Sequence, residues 1–439
     1  MKLFLKILIA ILLPFAISAS FIFLPPLVLT KSMATPESTQ VSVDPATLEI
    51  VCPGAFVQLG GQDGTDLGLI ERVGDPKIIV HSSQGEVVDV SGSAPGDFSK
   101  FISEGTNQSS DLLSAIQYQV LDESRAKGLA ATNCSVPQTS GWFVSGEASV
   151  GTESVLILAN PNAVEAAIDL EIFAGSGNSQ TRITLAASET RLVPLARFVV
   201  ADAYFTLRYQ SDSAGVSVMM QNRSTSGLTA TGVELIAPIL EPSKVLWIPG
   251  VQDLTGGFSK PILRIFNPAE VAANIRISEV SVVGATTQRM LEIAPGTIDS
   301  IELETSAGAV GLKLDSDVEV VAAVKNFSLN PVLDFAWALP VQELESIAFI
   351  SNPFDGSTLN LLNPNAEEVS ITLKTSNGYQ SISVAAEAMV KIEVPKGDIS
   401  LQSGTTFSAN LEIFGGGGYS VITLEKNQNL GSDIEVLLY

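Results

Sequence analysis

Three stretches of the chain share one hydrophobic pattern. Val155 to Ala159, Ile262 to Phe266 and Leu359 to Leu362 are apolar-rich runs, each followed by Asn-Pro: Asn160-Pro161, Asn267-Pro268 and Asn363-Pro364. Beyond each Asn-Pro, apolar residues recur at every second position: Ala166, Ile168 and Leu170; Ala273, Ile275 and Ile277; Val369, Ile371 and Leu373. The intervening positions are Ala167, Asn274 and Ser370, then Asp169, Arg276 and Thr372. Period-two alternation is the signature of a strand with one buried face. An Asn that caps its own backbone, followed by a Pro with fixed φ, makes the turn. The expectation is a hairpin repeated three times, roughly a hundred residues apart.

A second landmark opens each repeat. Ile50-Val51-Cys52-Pro53-Gly54, Trp142-Phe143-Val144-Ser145-Gly146, Leu246-Trp247-Ile248-Pro249-Gly250 and Ala348-Phe349-Ile350-Ser351-Asn352 align without gaps. A third landmark closes repeats, in that Gly128-Leu129-Ala130-Ala131-Thr132 resembles Gly227-Leu228-Thr229-Ala230-Thr231. The organisation expected is a segment 1–31, a linker 32–44, and β units over 45–140, 141–244, 245–345 and 346–439, the first lacking the Asn-Pro turn. In the second unit, strands centre on Leu156, Ile168, Ile183, Leu192, Phe205, Val218 and Leu235. That number in about a hundred residues is the size of an immunoglobulin-like sandwich. Helical periodicity is absent past the first segment, with 110–127 ambiguous. The fold class is therefore all-β, four tandem sandwiches behind an N-terminal helix. Beads and a closed ring both fit. A ring would have support in the last strand, Ile434 to Leu437, which resembles the strands that end earlier units.

The amino terminus bears on location. Lys2 and Lys6 precede an uncharged apolar run from Ile7 to Thr30, longer than the roughly 20 residues a spanning helix needs. Flanking positive charge puts the amino terminus in the cytoplasm and the bulk outside. A cleaved signal peptide processed near Ala16, Ser18 and Ala19 is the rival; the run continues through Phe21 to Leu24, which favours an anchor, ended by Pro25 and Pro26. In an exported chain, the two cysteines, Cys52 and Cys134, are most simply a disulfide. Closing so long a loop contributes roughly 4–5 kcal/mol in the chain-entropy description.

Composition narrows the chemistry. The chain has 439 residues with 24 Lys and Arg against 47 Asp and Glu, a net charge of −23. No basic stripe exists to release counterions from a polyphosphate, so nucleic acid is excluded as a partner. The single histidine, His81, follows the apolar Ile78-Ile79-Val80 and reads as a strand-end residue. A Ser-His-Asp triad has only that histidine to use, His/Cys zinc sites fail on count, and no Walker or dinucleotide loop is present. Acid pairs such as Asp169 and Glu171 fall on the solvent face of a strand. The acidic loops Gln62 to Asp66 and Asp315 to Asp317 are incomplete calcium loops. Four Asn-x-Ser sequons, at Asn107, Asn133, Asn222 and Asn326, matter only in a glycosylating host. No catalytic, cofactor or metal residue emerges, and no cofactor is expected. Trp142 and Trp247 lie on the opening strands, where packing is the simpler role than an exposed sugar platform.

The run Cys134-Ser135-Val136-Pro137, Gly141 to Gly146 and Leu156 to Pro161, with Val51 to Gly54, resembles a family of exported actinobacterial proteins catalogued only as a domain of unknown function. That resemblance covers most of residues 45 to 439. It implies an envelope location and supplies no functional residues. The reading is a non-catalytic, membrane-anchored envelope protein with a structural or protein-interaction role, its partner another envelope protein. A cell-wall glycan-binding module is the alternative, and a carboxylate-dependent hydrolase the third reading.

Overall fold

In the computed structural model the described residues are 37–41, 47–60, 69–83, 86–91, 97–104, 112–199, 202–212, 214–251, 260–306, 311–328, 333–344, 347–425 and 434–438. They form an all-β protein. The candidate anchor Ile7–Thr30, the loop Gln62–Asp66 and Asn107 lie outside them. Among the described residues no helix is long and apolar enough to cross a membrane.

Two compact units exist. In the smaller, strand Glu37–Val41 pairs antiparallel with Ile434–Leu438. The stretch expected as linker thus contains a strand, and the last strand of the chain pairs with that one, so it plays no part in the repeats. The larger unit, Pro45–Leu430, contains the four repeats.

Repeat two shows the plan. Its eight strands are Ser140–Glu147, Thr152–Ala159, Ala166–Ala174, Gly177–Leu185, Thr190–Pro194, Tyr204–Ser211, Ser217–Ser226 and Thr229–Ile236. One sheet has the order first, sixth, third, fourth; the other has fifth, second, seventh, eighth. Repeat four, from Ile347–Asn352 to Gly418–Thr423, has the same two orders. In repeat three the sixth and seventh strands fuse into Gly311–Ser328, which serves both sheets, and Asp334–Ala338 is its eighth strand. Repeat one keeps Thr47–Cys52, Lys77–Ser82, Val88–Ser91, Ser99–Glu104, Leu113–Asp122 and Lys127–Cys134, paired in the corresponding orders. The ambiguous stretch 110–127 therefore contains a strand.

The alternating residues after each Asn-Pro are all buried. The turn itself is not a hairpin. The strand before Asn160 lies in one sheet and the strand after it in the other, and the same holds at Asn363. The reason is visible in burial: Leu156, Ile157, Leu158 and Ala159 are all enclosed, so this strand is covered on both faces, and the chain arches over the sandwich edge. Each Asn is fully buried and holds the arch. Asn160 Nδ2 donates to the carbonyls of Val164 and Ala186 at 2.7 and 2.9 Å. Asn267 does so to Val271 and Ile293 at 2.8 and 3.0 Å, and Asn363 to Glu367 and Ala385 at 2.6 and 2.9 Å. Each Oδ1 accepts the backbone N–H two residues on, the local bonding expected of Asn in a turn. Pro161, Pro268 and Pro364 follow these Asn residues directly.

Cys52 and Cys134 are bonded, with Cα atoms 4.3 Å apart. The bridge joins the first and last strands of repeat one across its two sheets.

The repeats form a closed ring. Their eighth strands, Lys127–Cys134, Thr229–Ile236, Asp334–Ala338 and Gly418–Thr423, pack side by side in cyclic order, the last against the first. Residues on the opening strands seal the junctions. Val51 packs with Ala159, Trp142 lies 5.8 Å from Phe266, and Trp247 packs with Leu362. Phe349 stacks on His81 at 3.7 Å and closes the circle. Ala159, Phe266 and Leu362 each sit just before an arch asparagine, so one contact is used repeatedly. Beads on a string are thereby replaced by a ring.

Candidate functional site

The junctions are cemented by buried polar groups. Gln221 accepts from Val57 N and donates to Val57 O at 2.7 and 2.6 Å, tying repeat two to one. Between repeats two and three, Lys325 Nζ lies 2.8 Å from both oxygens of Glu147. Arg264 Nη1 donates to the carbonyls of Val144 and Gly146, and its guanidinium is 3.5 Å from Glu147. Burial lowers the pKa of both cations, while Glu147 opposes the effect. Asn410 donates to Pro249 O at 2.8 Å between repeats three and four. At the closing junction burial lowers the His81 pKa, and Asp398, 3.7 Å away, opposes that.

The axis holds a second set of groups. Gly128, Gly232, Asp334 and Gly418 occupy matching places on the four eighth strands, each preceding a backbone N–H that points to the centre. Asp334 is the only one of the four with a side chain, and its carboxylate collects all four N–H groups. Oδ2 accepts from Leu129 and Tyr419 at 2.9 Å each. Oδ1 accepts from Val233 and Phe335 at 3.0 Å each. A Cβ at Gly128 would lie 2.5 Å from both Asp334 oxygens, and one at Gly232 2.7 Å from Oδ1. Gly128 and Gly232 thus make room for the acid, while a Cβ at Gly418 would lie 2.2 Å from Leu129 N on the neighbouring strand. Burial pushes this carboxyl up to about 7, against the four N–H donors that pull it down.

Two residues on, the corresponding side chains are Ala130, Glu234, Ala336 and Ser420, all buried. Ser420 Oγ donates to Glu234 Oε1 at 2.8 Å, while Glu234 Oε2 is enclosed without a partner. Burial drives the Glu234 carboxyl well above its usual range, and the nearby Asp334 raises it further. Like-charge repulsion in a dry site favours the protonated form of Glu234.

Where the eighth strands end, the axis opens into a cavity of about 540 Å³ lined by all four repeats, including Thr132, Gln138, Ala237, Trp337, Gln342 and Ile422. A separate groove of about 780 Å³ runs between repeats two and three. Its floor carries Trp142, Phe173 and Phe266, the last two with centroids 4.8 Å apart, and its walls carry Glu171, Arg208, Glu241 and Glu319. Arg208 lies 5.4 Å over the Trp142 ring and Lys313 4.7 Å over Trp247, so both tryptophans are capped by cations.

The other groups singled out in the sequence are tied up locally. Asp169 pairs with Arg182 and Glu171 with Arg208. Asp317 accepts from Asn274 N and Nδ2, both at 2.8 Å. Asn222 and Asn326 are buried and donate to Ser145 O and Gly250 O, and Asn133 bonds Thr423 O. Of these the structure brings Asn133 to the wall of the axial cavity. Sequence reasoning missed Asp334 and Glu234 because the third landmark is misaligned. Gly227 lies in the hairpin turn before the eighth strand, whereas Gly232, inside that strand, is the counterpart of Gly128. The usable signal was Gly-Leu-Ala, Gly-Val-Glu, Asp-Phe-Ala and Gly-Tyr-Ser, each within an eighth strand.

No curated protein matches the chain. A model of a family of unknown function, DUF5719, matches residues 73–395. That span covers most of the ring, so the chain belongs to the family of unknown function DUF5719.

Proposed function

We propose that the protein is a non-catalytic, extracytoplasmic component of the cell envelope, tethered through Ile7–Thr30, whose ring is a rigid scaffold for another envelope protein. Each repeat is read as an immunoglobulin-like sandwich with an added strand. The observation that carries this reading is where the chemically capable side chains sit. His81, Glu147, Lys325, Asp334 and Glu234 are spent on junctions and axis, and so act on the ring itself. The disulfide supports an oxidising compartment. Crosslinking on intact cells followed by affinity capture tests the proposal. A specific envelope protein crosslinked to the ring is expected; crosslinks confined to cytoplasmic proteins contradict it.

A second reading, cell-wall glycan binding, is favoured by the groove between repeats two and three, where half-buried Phe173 sits among carboxylates. Aromatic rings beside polar groups suit sugars, which present one apolar face. Against it stands the capping of Trp142 by Arg208. Sedimentation with purified wall polysaccharide, lost in Phe173→Ala, separates the two readings.

A further inference from the structure

We propose that the axial cavity is a binding site for one small amphipathic molecule, neutral or cationic. At about 540 Å³ it falls in the range of small-molecule sites, roughly 300–1,000 Å³. All four repeats contribute to its wall, so it exists only because the ring is closed. The lining is divided as ligand sites are: Ile236, Leu339 and Val421 supply apolar surface, and Gln138, Gln342 and Thr132 supply neutral polar groups.

The charge of the wall sets the chemistry of the occupant. Among the described lining residues none is Lys, Arg or His, while Glu241 and Glu425 are acidic. An anionic ligand therefore finds no counter-charge among these lining residues, and a neutral or cationic one needs none.

The test uses the full chain in detergent with two dyes, neutral prodan, which carries a ketone, and anionic anilinonaphthalene sulfonate. Energy transfer excited through the three tryptophans, all within the ring, separates dye in the cavity from dye in micelles. Expected is saturable transfer to prodan at one site per chain and none to the sulfonate. Ala237→Trp fills the cavity and abolishes the prodan signal. Glu241→Lys, at an exposed rim position, leaves folding intact and admits the sulfonate. Absence of saturable prodan transfer, indifference to Ala237→Trp, or equal binding of both dyes overturns the proposal.

Discussion

Replacing Asp334 by Asn changes one oxygen for an NH2 group and keeps the shape. Two of the four backbone N–H groups at the axis then face a donor. A buried N–H left without an acceptor costs about 1–3 kcal/mol, so the substitution removes about 2–6 kcal/mol. The amide also removes a charge that burial disfavours, and this makes the effect pH-dependent. Folding raises the carboxyl from 3.8 to about 7. An acid with a raised pKa contributes stability that is complete below its unfolded value and lost as pH rises through the folded one. A shift of roughly three units corresponds to about 4 kcal/mol. Wild type gives up that amount between about pH 4 and pH 7, and the Asn variant does not. The gap between them is therefore widest near pH 4 and narrows toward pH 8. Urea unfolding followed by tryptophan emission, at both pH values and with Glu234 present in both proteins, measures the gap. A gap that stays constant or grows with pH refutes the reasoning, because the four donors would then outweigh burial and keep Asp334 ionised throughout.

Other substitutions probe the junctions and arches. Glu147→Gln leaves the buried Lys325 and Arg264 without their counter-charge and costs about 3–5 kcal/mol, whereas Glu147→Gln combined with Lys325→Met recovers much of that in the same unfolding assay. Asn267→Ala strips the arch of its donor to Val271 and Ile293 and of its acceptor for Ala269, and is expected to lower stability by about 2–4 kcal/mol by chemical denaturation. His81, with its pKa lowered by burial, contributes stability present above pH 6.5 and lost as pH falls through its folded value; His81→Gln flattens the thermal midpoint over that acidic window. Cys52→Ala with Cys134→Ala abolishes the mobility change on reduction and costs roughly 4–5 kcal/mol.

Much of each sandwich was legible because burial on one face writes a period-two pattern. Leu156, Ile168, Ile183, Leu192, Phe205, Val218 and Leu235 each fall within a strand, and Cys52 with Cys134 needed only an even count and an exported chain. The arch was not legible as such. A strand buried on both faces looks the same before a hairpin as before a sheet crossing, and only the partner strands distinguish them. Ring closure left no local mark either, since His81 and Phe349 meet across most of the chain. The axial acid was hidden by equivalence: Asp334 stands where three other strands carry glycine, and a chance likeness at Gly227-Leu228 drew the alignment five residues away. In repeat three the fused strand Gly311–Ser328 removed the turn that would have marked the register.

Native-state hydrogen exchange at four amides tests the closed ring most directly. Leu129, Val233, Phe335 and Tyr419 belong to four different repeats, and all donate to one carboxylate. Amides that open only with the whole unit share one protection free energy. A closed ring gives matched protection at all four in wild type, and a joint loss in Asp334→Asn that reaches Leu129, Val233 and Tyr419 as well as Phe335. Loss confined to Phe335, with the other three unchanged, would contradict it.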